Sequence, residues 1–549
     1  MIIKNAVLVL CVFLCSCGEH ISISEIQDVK DDTSFKGQFV KTKGVVTGVF
    51  QEPGELGGFF IQDHTFFSNR GVFVKTKQLV HIGDEILITA KVVEYKNETR
   101  LDFVKSIQLL SEGNSVSNQR VFLPISLSNM EQLEGSLIHI ENELLISSSY
   151  SFLKYGQILL STSELVQATE IYDAELDSQK IKDLSSPQVI NSIVIDDLSN
   201  MRFPLLNSLY CKPLEVLIGN KCSGITGFVS QFNDGYRIRL IDDISVEVIE
   251  KEESSNVKGA LKVMSFNLHN LFNGDGTGGG FPTPRGAKTL ESYQLQLVKL
   301  NAAVSSANPD IIAMMELEND GEDSLSTIVQ FCAYLNSKNP KRNYTVSLTG
   351  ASSGSDFIKT GIIYDSNKVS ALSVAEYHKS PIFSRAPLFQ RFSYSDSEEF
   401  VLSVNHFKSK SPRGAEGLNE DQKDGQAAYN FKRKQQSEVL LTLVDSLYEN
   451  DDLLIVGDFN AYTNEDPIQL LESNTLKRLE MSWYTYEYKG RKGNLDHAFV
   501  SKNFESSIKE IKVWDINASY PNWIDYSHAL ADSSSYRSSD HNPILIGLY

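Results

Sequence analysis

From residue 260 to the C-terminus the sequence repeats one pattern that few folds accommodate: an apolar run of strand length beside a cluster of amides, carboxylates and histidines. KVMSFNL leads into Asn267 and His269, DIIAMMELE carries Glu316 and Glu318, and FVLSVNH closes on Asn405 and His406. VGDFNAY carries Asp458 and Asn460, GNLDHAFVS carries Asp496 and His497, and SSDHNPILIGL opens on Asp540, His541 and Asn542. Helical patterns lie between them. ESYQLQLVKLNAAVSSA is closed by Asn308-Pro309, and NFKRKQQSEVLLTLVDSLY places Phe431, Val439, Leu440, Leu443, Val444 and Leu447 largely on one face. Strands alternating with helices put sheet inside and helices outside, with functional side chains at the strand ends. A lone Asp-His pair is ordinarily a cap or a satisfied core histidine. Six such clusters, each beside an apolar strand, describe a site.

The chemistry of the clusters narrows its use. They hold oxygen donors and histidines but no cysteine, which suits a hard cation: Mg²⁺, with Mn²⁺ or Ca²⁺ as alternatives and zinc less suited. Basic residues gather near the same segments: Lys408, Lys410 and Arg413 after His406, then Arg433, Arg285 and Arg391. Lys408, Arg433 and Arg285 are the candidates for holding substrate phosphates. The glycine-rich GDGTGGG lacks the lysine and spacing of a phosphate-binding P-loop. A net charge of −19 excludes a protein that coats nucleic acid through an extended basic surface. It leaves room for an enzyme with a local positive groove.

At 549 residues the chain is expected to form two to four domains. Residues 1–17 read as a signal peptide: Lys4, then an apolar run, then Leu14-Cys15-Ser16-Cys17, similar to a lipobox that would lipidate Cys17. Simple secretion is the alternative. Residues 21–113 break into short strand-like runs with glycines at turns and bulges, as in an all-β, OB-like barrel. Phe59, Phe60, Phe66 and Phe67 are either core or base-stacking residues. Residues 115–253 read as a second β-rich, OB-like module ending in a hairpin at Asn233-Asp234-Gly235. The charged linker EKEESSNVKG separates it from residues 260–549. Cys211 and Cys222 flank a short loop, so a disulfide and two buried thiols both remain open; Cys332, in an apolar helical pattern, reads as a buried thiol.

The motifs SFNLHNL, MMELEN, NHFKSK, GDFNAY, NLDHAF and SDHNP, in this order, resemble the endonuclease/exonuclease/phosphatase superfamily. TKGVVTGVFQ, GGFFIQD, GDGTGGGFPTPRGA, ELEND and DGQAAYNFKR further resemble large extracellular bacterial deoxyribonucleases. The resemblance implies a four-layer α/β/β/α sandwich after the β modules, and an exported, metal-dependent nuclease acting on DNA, with RNA open. It also implies roles. Glu316, Asn267 and Asp540 would hold the cation; Asp496 would orient His541 against the phosphate or the water; Asp458 and Asn460 would position water and a phosphate oxygen. His406 would serve the leaving oxygen. In pancreatic-type relatives a glutamate orients the counterpart of His406, and here Ile358 falls in its place. Asp356 is the candidate substitute, unless it only forms the turn after SGS. A monomer is expected, touching membrane only through its lipid anchor. Alternatives are a phospholipid or sphingomyelin phosphodiesterase, another phosphatase, or a non-catalytic nucleic-acid-binding surface protein.

Overall fold

A computed structural model describes residues 20–549 except 28–32, 64–69, 186–187, 200–209, 234, 250–253, 396–397, 473–474 and 529. The leader with Cys17, and the pair Phe66 and Phe67, lie outside the described residues.

Five strands, Phe39–Phe50, Gly58–Gln62, Gly71–Lys75, Glu85–Tyr95 and Glu98–Ser111, close a barrel. Alternation along Glu85–Tyr95 sends Ile86, Ile88, Ala90 and Val92 into its core. The register slips between Val46 and Gly48, where Phe228 of the next unit presses on the strand; a Cβ on Gly48 would meet that ring at 2.6 Å. Phe59 is barrel core, and Phe60 stacks on Phe228 with ring centroids 4.2 Å apart, so neither is free to stack on a base.

The second unit differs from the OB-like module expected. Residues 119–247 contribute nine strands to one sheet, with Thr226–Phe232 and Gly235–Leu240 paired antiparallel as the turn signal implied. Its apolar core is completed by residues far along the chain: Tyr520, Trp523 and Ile524 pack among Phe152, Ile158 and Ile238. Cys211 and Cys222 are both free thiols rather than a disulfide, and burial raises the pKa of each.

The C-terminal unit is a sandwich of two sheets. In one, Leu261–Leu271 lies between Ile311–Glu318, which it pairs in parallel, and Ile544–Leu548. In the other, Glu398–His406, Leu453–Asp458 and Asp496–Ser501 are neighbours. Alternation builds the layers: Ile311, Ala313 and Met315 face Val404, Leu454 and Val456 between the sheets. Ile312 and Met314 face outward beneath the helices Leu290–Ala307 and Thr327–Lys338. On the far side Asn430–Leu447 and Asp466–Leu471 cover the second sheet. Leu290–Ala307 ends where Asn308 turns left-handed, φ 48°, with its N–H on Val304 O. Cys332 is a buried thiol, its Sγ 3.2 Å from Tyr344 O.

The buried face of Asn430–Leu447 shares Leu440 and Val444 with the apolar one read from periodicity and is otherwise polar. It is Arg433, Gln436, Ser437, Leu440 and Val444, while Phe431 and Leu447 are exposed. Polar groups claim that face because each finds a partner there: Gln436 Oε1 accepts from Lys408 N, and Ser437 Oγ donates to Pro467 O.

Candidate active site

Strand register lines up half of the site. His406 pairs with Asp458 across parallel strands, and Asp458 with Asp496 across antiparallel ones, so three polar residues form one row over the sheet end. The facing sheet supplies Asn267, the register partner of Met315, with Glu316 next along that strand. Glu316 occupies the left-handed region, φ 63°, as do His269 and Asn270, where the strand register breaks. A non-glycine residue held there costs on the order of 1–3 kcal/mol and persists only where surroundings impose it. Asn267 Nδ2 reaches Asp458 Oδ2 at 3.4 Å, bridging the sheets.

His541 and Asp496 form the expected pair, Nδ1 to Oδ2 at 2.7 Å, both buried. The backbone N–H of Asp496 donates to Thr485 Oγ1, and the Tyr486 ring lies 4.6 Å from that of His541. Burial by itself lowers the pKa of His541, but the carboxylates of Asp496, Asp540 and Asp458 outweigh it and raise the pKa well above the ordinary value. Asp540 responds in kind: burial opposes its ionisation, yet His269, His541 and Arg537 hold its pKa down at about 2. Burial, reinforced by Asp496 and opposed by His541, raises Asp458 to about 7; Asn460 N–H donates to its Oδ1 at 2.8 Å.

His406 sits in the opposite environment. Burial, then Arg385, His541 and Arg285, lower its pKa well below the ordinary value. Its Nε2 lies 3.4 Å from Asp458 Oδ2, and its Nδ1 has no hydrogen-bond partner among the described residues. Asp356 therefore does not orient the ring. Its carboxylate is taken by Arg385 at 2.8 Å and Arg285 at 3.3 Å, because two guanidinium groups outcompete a neutral imidazole for it. Its link to His406 is indirect, through Arg385, whose Nε donates to His406 O at 3.1 Å and whose other nitrogen donates to Phe407 O.

The candidate phosphate-binding residues separate. Arg285 is 41% exposed beside Asp356, and Lys408 lies over the Tyr429 ring at 4.4 Å, half-buried in the same positive cluster. Arg433 is fully buried and donates to the carbonyls of Ala428, Gln426 and Lys408, so it braces the segments after His406 and does not face substrate. Lys410 is paired with Glu465, and Arg391 with Asp451.

Other strand-end residues turn out to be braces. Glu318 accepts from Asn273 N–H and Thr327 Oγ1, and Asn542 Oδ1 from the N–H groups of Asn517 and Ala518. His497 bonds Ala461 O at 2.9 Å. Sequence reasoning passed over Arg385, which lies in SRAPLFQRF six residues before the arginine it did weigh. It noted His269 but not its partner: Asp525 Oδ2, 3.2 Å from Nδ1, comes from a segment with no motif.

The donor set fits a hard divalent cation. Glu316 Oε2 is buried without a hydrogen-bond partner, beside Asp540 and the Asn267 amide. Among the described residues no three His, Cys, Asp or Glu side chains gather into a ligand cluster. The protein donors on offer are thus two carboxylates and an amide, a set that Mg²⁺ completes with water and phosphate oxygens.

No curated protein matches the chain in sequence. Among solved structures, D. rerio TDP2 complexed with single-strand DNA product is similar at 16% identity, covering 52% of this chain and 97% of that one, with a TM-score of 0.33. The human Nocturnin catalytic domain with bound sulfate is similar at 14% identity, covering 52% and 93%, with a TM-score of 0.32. The mannosyl-6-phosphatase of Bacteroides thetaiotaomicron is similar at 14%, covering 53% and 100%, with a TM-score of 0.33. In sequence, residues 264–541, half of the chain, match the Endonuclease/Exonuclease/phosphatase family, and the chain belongs to that family.

Proposed function

We propose that the protein hydrolyses phosphodiester bonds of nucleic acid, DNA foremost, with a divalent cation held by Glu316, Asp540 and Asn267. The observation that carries the reading is the buried His541–Asp496 pair, 2.7 Å apart, with the carboxylates of Asp540 and Asp458 on one side and His406, backed by Arg385 and Arg285, on the other. The cation, when bound, supplies charge neutralisation on the phosphate. The chain's own groups do the rest. With Nδ1 taken by Asp496, His541 presents Nε2 to a phosphoryl oxygen. Asp458 and Asn460 hold the attacking water, and Asp458 accepts its proton as phosphorus–oxygen bond formation breaks the opposite ester bond; a proton from solvent on the leaving oxygen then gives a phosphomonoester and an alcohol. His406, across Asp458, faces the leaving side. Arg285 and Lys408 take flanking phosphates.

The protein is further read as an exported, monomeric extracellular deoxyribonuclease, lipidated at Cys17, with its N-terminal barrel an OB-like spacer. The test is a substrate panel on protein lacking residues 1–17: plasmid DNA, RNA, sphingomyelin vesicles and sugar phosphates, with Mg²⁺, Mn²⁺ and Ca²⁺. DNA cleavage abolished by EDTA is expected. Turnover of lipid or phosphomonoester with all nucleic acid left intact overturns the reading.

A further inference from the structure

The nine-stranded unit sends one short segment onto the C-terminal sandwich, and two consecutive side chains of that segment touch two of the loops that carry the candidate site. Val166 makes a β-bridge with Lys492, and Gln167 Nε2 donates to Tyr488 O and Arg491 O. Glu170 then accepts four hydrogen bonds. Two come from Thr463, Oγ1 at 2.7 Å and N–H at 3.2 Å; two come from Asn494, Nδ2 at 2.7 Å and N–H at 3.1 Å. Thr463 lies three residues past Asn460, and Asn494 two before Asp496. Next to it Thr169 Oγ1 donates to Glu465 at 2.8 Å, and Glu465 accepts from Lys410, four residues past His406. The loops bearing Asn460 and Asp496 are therefore joined through one foreign segment, and the Lys410–Glu465 pair ties the His406 loop to the first of them. Asn464 N–H and Nδ2 add bonds to the carbonyls of Thr169 and Glu170.

The energetic logic is specific. Loops are the least rigid parts of a fold, and a displacement of about 1 Å in a reacting group can cost about 100-fold in rate. A carboxylate that accepts four bonds from two loops fixes their separation, and its burial, which raises its pKa, is tolerated because those four donors replace water. None of these bonds reaches substrate. We propose that Glu170 is a positioning residue of the phosphodiesterase site, so that the nine-stranded unit completes the active site instead of merely adjoining it. The inference rests on the phosphodiesterase reading for its kinetic consequence and on geometry alone for its structural one.

The test uses the full mature chain with bis(p-nitrophenyl) phosphate and plasmid DNA as probes. E170A is expected to lower kcat about 10–100-fold on both, with KM changed less than threefold. E170Q, which keeps one acceptor oxygen, should fall between E170A and wild type. I238V, a trim in the core of the same unit away from the segment, is the stability control and should retain kcat at equal or lower Tm. Hydrogen–deuterium exchange should speed up in E170A at residues 460–466 and 492–498. Wild-type-like kcat in E170A, an equal kcat loss in I238V, or unchanged exchange in those two stretches overturns the inference. If wild type cleaves neither probe, the functional reading falls alone, and the exchange result still decides the positioning role.

Discussion

Two sides of one pocket use the same imidazole to opposite ends. On one, His541 is surrounded by Asp496, Asp540 and Asp458, which raise its pKa well above the ordinary value. On the other, His406 is backed by Arg385 and Arg285 and is held neutral, with Nδ1 unbonded among the described residues. Both rings are buried, and burial pushes both the same way, so the difference comes from the neighbours. In a third histidine burial dominates: His497 has a backbone carbonyl as its partner, and burial, with a smaller push from Arg478, drops its pKa to about 3. On the proposed reading, a site divided in this way would offer carboxylates and the cation they hold to one face of a diester, and guanidinium and ammonium groups to its flanks.

The comparison breaks most sharply if His541 is dispensable. His541→Ala should reduce kcat/KM by about 10⁴-fold, since a histidine steered by a carboxylate acts in the transition state; a loss under tenfold in plasmid cleavage would reassign the chemistry to the His406 side. His497 sharpens the burial argument through stability. Its unfolded form binds a proton near pH 6.5 and its folded form only near 3, so stability is complete above 6.5 and declines as pH falls toward 3. The decline amounts to at most about 4–5 kcal/mol. Urea unfolding of His497→Gln between pH 7 and 4 should show a shallower slope, and an unchanged slope refutes the assignment.

The basic side is tested by Arg385→Ala, which takes the closest cation from half-buried Asp356 and leaves the carbonyls of His406 and Phe407 without their donor. Denaturation should show a loss of about 1–3 kcal/mol. Arg385→Lys should recover only part of it, because the fork that bonds Asp356, His406 O and Phe407 O at once is lost. A fully stable Arg385→Lys would mean that charge alone, and not the fork, holds the His406 segment. Lys408→Ala should have the smallest effect, a three- to tenfold rise in KM for DNA with a weaker salt dependence; no change in the salt slope removes Lys408 from the groove.

How far the sequence was legible differs between these sides. The acidic side was readable because its groups sit in dipeptides at the ends of apolar strands, a local pattern that survives in one dimension. Asp496 and His541 could be paired through the family resemblance that NLDHAF and SDHNP carry. The basic side was not readable. Asp356, the candidate for orienting His406, went to Arg385 and Arg285, and Arg433 went to backbone carbonyls, since proximity along the chain says nothing about which donor an acceptor prefers. The buried face of Asn430–Leu447 misled for the same reason: periodicity ranks residues by apolarity, while packing also accepts a polar side chain whose partners are in place.

By itself the sequence determined the strand-and-helix alternation of the last 290 or so residues, the family, and the oxygen- and histidine-rich set at the strand ends, all written in contiguous runs whose period and chemistry are local. Only the tertiary structure decided that Trp523 completes the core of another unit, that Glu170 joins two loops some 300 residues away, and that one buried histidine has its pKa raised while another has its pKa lowered. Those outcomes depend on which groups meet across sheets and units, and on how little water is left between them, quantities that exist only once the chain has folded.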